Sequence, residues 1–123
     1  MDRRQFLAGA AVLGVSGIWA GRAAAASRVA WREDRTLYPQ GVASGDPDDH
    51  SIILWTRRPF ATGDRPELTV EVARDPEFRR VVATARVPVL AAADWTCRAL
   101  VGGLAPATEH WYRFTDDSGA GSR

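Results

Sequence analysis

Two histidines, one cysteine and a short run of carboxylates are the residues of this 123-residue chain that could do chemistry. A hydrolytic two-metal centre needs several His and Asp ligands in clustered motifs, and His50 and His110 stand in different segments. His110 falls on the inward face of an expected strand, where a hydrogen-bonded core histidine is the simpler reading. Asp46, Asp48 and Asp49 are close enough to suggest a calcium loop. Pro47 and the lack of a downstream Glu at loop spacing leave them as turn residues. Ser44 lacks the Gly-x-Ser-x-Gly spacing of a nucleophile elbow, because Gly41 is three residues upstream and Gly45 is adjacent. Gly102-Gly103 precedes a strand, so it is no phosphate cradle. Arg57-Arg58 and Arg79-Arg80 read as solvated protection of strand edges. Cys97 alternates with apolar neighbours and reads as an inert buried thiol. No catalytic, cofactor-binding or metal-ligating residue is therefore assigned.

The clearest functional signal lies in residues 1–26. Arg3 and Arg4 stand directly before Gln5-Phe6-Leu7, an apolar run extends from Phe6 to Ala20, and Ala23 to Ala26 close it. A charged start, an apolar middle and a small-residue exit make an export leader. The Arg-Arg-x-Phe-Leu order is its twin-arginine form, carried by Arg3, Arg4, Phe6 and Leu7 and read by machinery that moves folded cargo. The 15-residue run is shorter than the ~20 residues a spanning helix needs, and Gly9, Gly14 and Gly17 dilute it. An uncleaved anchor is the alternative. The expectation is thus an exported protein, periplasmic, in the cell wall or extracellular, that touches the membrane only in transit. No cysteine near the exit offers a lipid attachment point.

The leader takes three of the 16 basic and one of the 15 acidic residues, leaving 97 residues with 13 basic and 14 acidic groups. That near-neutral balance argues against nucleic acid as a partner. Every basic residue is arginine. The lone cysteine excludes an internal disulfide.

The groups that remain are positioned by strands. Gly41–Pro47, Ser51–Arg57, Leu68–Ala73, Val81–Val89, Trp95–Val101 and His110–Thr115 are six short extended segments, separated by turn residues at roughly ten-residue spacing. The pattern predicts an all-β antiparallel sandwich of the fibronectin type III or immunoglobulin kind, lacking its last strand. Residues 27–39 read as an irregular lead, 40–116 as the sandwich, and 117–123 as a linker or truncated end. Ile53 and Trp55 give the second segment an apolar outer face that calls for cover by a loop or a further domain.

Gly41-Val42-Ala43-Ser44-Gly45-Asp46-Pro47 followed by Ser51-Ile52-Ile53-Leu54-Trp55-Thr56-Arg57 resembles the start of alkaline phosphatase D (PhoD-like) enzymes. Val72-Ala73-Arg74-Asp75-Pro76-Glu77-Phe78-Arg79, Gly103-Leu104-Ala105-Pro106 and Tyr112-Arg113-Phe114 continue the pattern in order. The resemblance implies an N-terminal fibronectin-like domain preceding a metallophosphatase domain. It also implies a secreted phosphomonoesterase or phosphodiesterase whose iron and calcium are bound in that following domain, the expected partner. On this reading the chain itself is non-catalytic. Leu104-x-Pro106-x-Thr108-x-His110 matches the corner of such sandwiches, with His110 in place of tyrosine and Tyr112 still inward. A free-standing secreted binding module of fibronectin type and a nonfunctional gene fragment are the alternative readings.

Overall fold

Runs of β-branched and aromatic residues bounded by Gly, Pro and Asp form strands because their side chains pack well on a half-buried pleated surface. The computed structural model describes residues 16–21, 24–60 and 66–122. Its nine strands are Ser16–Trp19 (β1), Arg32–Glu33 (β2), Val42–Gly45 (β3), Ile52–Arg57 (β4), Glu67–Ala73 (β5), Val81–Pro88 (β6), Thr96–Gly102 (β7), Trp111–Thr115 (β8) and Ala120–Gly121 (β9). They form a four-stranded sheet, β1-β7-β4-β3, and a five-stranded sheet, β2-β9-β8-β5-β6. The six expected segments are β3 to β8, paired antiparallel. Among the described residues no helix is long and apolar enough to cross a membrane.

The core lies between the sheets. Leu54, Cys97, Ala99 and Val101 face inward from one, and Leu68, Val70, Val72 and Phe114 from the other, all buried. On β4, Leu54 and Thr56 point inward while Ile53 and Trp55 lie half-buried on the outer face, across from Leu100 and Arg98 of β7. β5 is closed on its second face as well: Glu71 and Ala73 are buried.

Three departures from the sequence reading have physical causes. The tail is not a linker. Asp116–Gly119 makes a turn, β9 returns alongside β8, and Ser122 is buried with its backbone N–H donating to the Phe114 carbonyl at 2.8 Å. The sandwich therefore has the closing strand that the sequence reading left out. The lead is not irregular throughout, because β2 pairs in parallel with β9. Finally, the described end of the segment read as a leader is packed on the sandwich. β1 lies parallel on β7, with Ile18 opposite Val101 and buried in the core. The β7 edge offers unpaired backbone groups and an apolar inner rim, which Gly17-Ile18-Trp19-Ala20 satisfies. The chain then crosses to the other sheet, where Gly21 N–H donates to the Val82 carbonyl at 2.6 Å and Ala25 bridges Val81. Arg3, Arg4, Phe6 and Leu7 lie outside the described residues.

Candidate functional site

Ser44, Asp48, Asp49, His50 and His110 converge at one end of the sandwich, where they do structural work. Asp48 lies in the connection between β3 and β4. Its Oδ1 accepts the backbone N–H of His50 at 2.8 Å, closing an Asx turn. That bond, then one from Ser51, holds the Asp48 carboxyl below its ordinary range. His50 ties this loop to the β7–β8 loop: Leu104 N–H donates to the His50 carbonyl at 2.9 Å, and His50 Nδ1 lies 3.2 Å from the Leu104 carbonyl. A carbonyl only accepts, so Nδ1 carries the proton. His110 is half-buried rather than in the core, and its Nδ1 makes the same kind of bond to the Thr108 carbonyl at 3.0 Å. Tyr112 keeps the inward place, edge-on to Phe114 with centroids 6.4 Å apart. Burial raises its phenol, and a hydrogen bond with Ser44 opposes the shift. Ser44, Asp48, Asp49, His110 and Tyr112 share a cleft of about 320 Å³. It joins no nucleophile to a base. Among the described residues no group of three or more His, Cys, Asp or Glu is placed to hold a metal ion.

Cys97 is buried, and burial pushes its thiol up to about 12, far from the thiolate range that reactivity requires. Arg79 and Arg80 are exposed, and their backbone N–H groups donate to the two carboxylate oxygens of Asp75 at 2.9 and 2.8 Å. Arg57 stays near the surface, bonded to the Asp94 carbonyl at 2.9 Å and paired with its carboxylate at 3.1 Å.

Arg58 corrects the sequence reading. It is not a solvated edge residue but 9 % exposed, and it pairs with the equally buried Asp116 at 2.8 Å. Its guanidinium lies 4.2 Å from the Phe60 ring centroid and 5.8 Å from that of Tyr38. Asp116 Oδ1 meanwhile accepts from Ser118 N–H, Ser118 Oγ and Ala120 N–H, fixing the β8–β9 turn. Arg58 follows β4 and Asp116 follows β8, so this pair ties the two sheets together.

A second cluster covers the outer face of the five-stranded sheet. Glu71 and Arg113 are register partners on β5 and β8, and Arg113 Nε donates to Glu71 Oε1 at 2.9 Å. Ser27 Oγ donates to the other carboxylate oxygen at 2.5 Å. The Arg113 guanidinium lies 3.9 Å from the Phe78 ring centroid and 5.1 Å from that of Trp31. Trp31 in turn donates from Nε1 to the Ser122 carbonyl at 3.1 Å and lies over Gly121, where a Cβ would fall 2.0 Å from the indole nitrogen. Tyr38 Oη donates to the Ala120 carbonyl at 2.9 Å. Sequence reasoning missed these anchors. Their only local signal was an aromatic residue in each stretch of an otherwise polar lead.

Two sheets packed face to face, antiparallel except for the β1–β7 and β2–β9 pairs, with histidines and aspartates spent on turns and loops, define a β-sandwich domain. The chain belongs to the PhoD-like phosphatase N-terminal domain family, whose profile matches residues 22–123. Alkaline phosphatase D of Bacillus subtilis (strain 168) is 34% identical over 124 residues, which is 92% of this chain and 21% of that protein. The solved structure of PhoD superposes with a TM-score of 0.65 at 28% identity, over 70% of this chain and 18% of that one. The chain thus spans about a fifth of the length of the curated relative it matches.

Proposed function

We propose that this chain is the non-catalytic N-terminal sandwich of an exported phosphatase, and that its partner is a metallophosphatase domain that hydrolyses phosphate esters. The observation that carries this reading is the match of residues 22–123 to a domain described as N-terminal in PhoD-like phosphatases. Use of Asp48, His50 and His110 in turn and loop bonds supports it, since the cleft that Asp48 and His110 line joins no nucleophile to a base. The iron and calcium expected of the family do not fit the described residues, which offer no clustered donor set. No step through either metal is assigned to them. Export follows from the Arg3-Arg4-x-Phe6-Leu7 order and from the alanine exit, with residues 1–26 as the leader for the twin-arginine machinery.

A graft tests the domain's role. In the Bacillus alkaline phosphatase D, deletion of the matching N-terminal segment should abolish secreted phosphatase activity, and residues 27–122 of this chain should restore at least a tenth of it. The full chain alone should not turn over an aryl phosphate with added iron and calcium. Turnover by the chain alone, or a graft no better than the deletion, overturns the reading; a graft failure with a well-behaved monomeric chain favours the binding module. For export, residues 1–30 fused to a reporter should carry it out of the cell. Arg3→Lys with Arg4→Lys should stop that, and unimpeded export of the double variant refutes the twin-arginine assignment.

A further inference from the structure

Ser27 is held more firmly than a residue in an exposed lead requires. Its backbone N–H donates to the Phe78 carbonyl at 2.9 Å, and its hydroxyl donates to buried Glu71 while accepting from Arg113 at 3.1 Å. The hydroxyl also accepts the Val29 N–H at 3.1 Å. Ala24, Ala25 and Ala26, immediately before it, are all exposed. Alanines at Ala24 and Ala26 meet the small-x-small requirement of a leader-processing peptidase. The Ala26–Ser27 bond therefore joins a small-residue run with exposed side chains, bridged to β6 at Ala25, to a fixed residue. Beside it opens a cleft of about 280 Å³ whose walls include Glu71, Val81 and Thr84.

We infer that Ala26–Ser27 is the processing site, and that the α-ammonium released on Ser27 is received by a socket made of the Phe78 carbonyl and the Glu71 carboxylate. This rests on the export reading above. Hydrolysis by the peptidase consumes one water: its hydroxide adds to the Ala26 carbonyl carbon, the C–N bond breaks, and the Ser27 nitrogen takes the proton. The products are an Ala26 carboxylic acid, which gives its proton to solvent, and a Ser27 amine, which takes one up. Where the amide had one N–H, the ammonium has three. One keeps the Phe78 carbonyl, and the others gain a charged acceptor within the reach of a single serine side chain. Glu71 Oε2 accepts from Ser27 Oγ and retains a second lone pair. Arg113 of β8 already faces Glu71, whereas β6 presents Val81 and Thr84, which do not titrate. A chain terminus frays unless it is tied down, and this one would be tied at both backbone and side chain.

The absence of lysine makes the test clean, because the α-amine is the sole primary amine of the chain. The full chain is expressed in a host with an active twin-arginine pathway, and the exported product is analysed by intact mass and N-terminal sequencing. A product beginning at Ser27 is expected. An exported product that begins elsewhere overturns the inference and leaves export standing; a product retained uncleaved overturns the export reading and the processing site with it. The socket is read by acetylation with an N-hydroxysuccinimide ester at fixed pH. The amine should react at least tenfold more slowly in the folded product than in urea, and Glu71→Gln should restore most of the rate. Because Glu71→Gln can disturb folding, a second variant inserts one glycine between Ala26 and Ser27. It carries the amine out of the socket and should label rapidly in a fully folded protein. Equal rates for folded and unfolded wild type, or slow labelling of the glycine insertion, overturn the socket.

Discussion

Asp116 is the residue whose loss should cost this domain most for its size. Its carboxylate accepts three hydrogen bonds within the β8–β9 turn and pairs with Arg58 at 2.8 Å, with both side chains almost fully buried. Removing one member of a buried pair leaves the other charge uncompensated, which costs about 3–5 kcal/mol. Arg58 would be especially exposed to this penalty, since its Nε already has no partner among the described residues. Asp116→Ala should therefore lose ~3–5 kcal/mol, or about 12–20 °C in Tm at ~4 °C per kcal/mol for a domain near 100 residues. Asp116→Asn keeps the turn acceptor and loses the charge, so about 1–3 kcal/mol is expected. Burial pushes the Asp116 carboxyl up, but hydrogen bonds from Ser118, Arg58 and Ala120 outweigh it and hold the group below its ordinary value. A depressed folded pKa means the stabilisation is complete above the unfolded value of ~3.9 and disappears as pH falls through the folded one. The gap in Tm between wild type and Asp116→Asn should hold steady from about pH 7 to 5 and narrow below ~4. Thermal melts followed by circular dichroism measure both effects. A Tm for Asp116→Ala within ~4 °C of wild type, or a gap that widens in acid, would refute the reasoning.

Phe114→Ala empties the centre of the core and should destabilise by about 3–5 kcal/mol in urea titrations, without changing the sheet signature of the remaining folded fraction. Gly121→Ala drives a methyl into the Trp31 ring and should cost ~1–3 kcal/mol, partly recovered when Trp31→Ala is added, as a double-mutant cycle would show. Cys97 should resist an aromatic disulfide reagent at pH 8 and react at once in denaturant; its raised pKa also predicts stability falling as pH climbs above the ordinary thiol value of 9.0.

Six strands were legible because Leu68, Val70 and Val72 alternate with polar neighbours, and Cys97, Ala99 and Val101 keep the same two-residue period, between clear turn residues. The two-residue strands β2 and β9 carry too few residues to show a period, and β2 depends on a partner more than 80 positions away in the chain. Glu71 and Arg113 carry no local signal of burial, since charges on alternate strand positions are what a wet face also shows. Only the β5–β8 register brings them opposite each other, and only the Ser27–Trp31 crossing closes them over. Arg58 was misread for a related reason: its neighbour Arg57 is a surface residue, and nothing local announces that Asp116 waits at the far end of the chain. The turn roles of Asp48 and Asp75 were readable, because Asx chemistry is local.

The Arg58–Asp116 tie between the sheets has a further consequence, for redox chemistry. Many exported domains of this size staple their sheets with disulfides, which form only where an oxidant is available. Here the cross-connection is ionic, and the single thiol is sealed in the core. The same bonds can form in a reducing or an oxidising compartment, and no electron acceptor is needed to complete the fold. Reductants would leave the domain untouched, and its vulnerability is moved from thiols to protons.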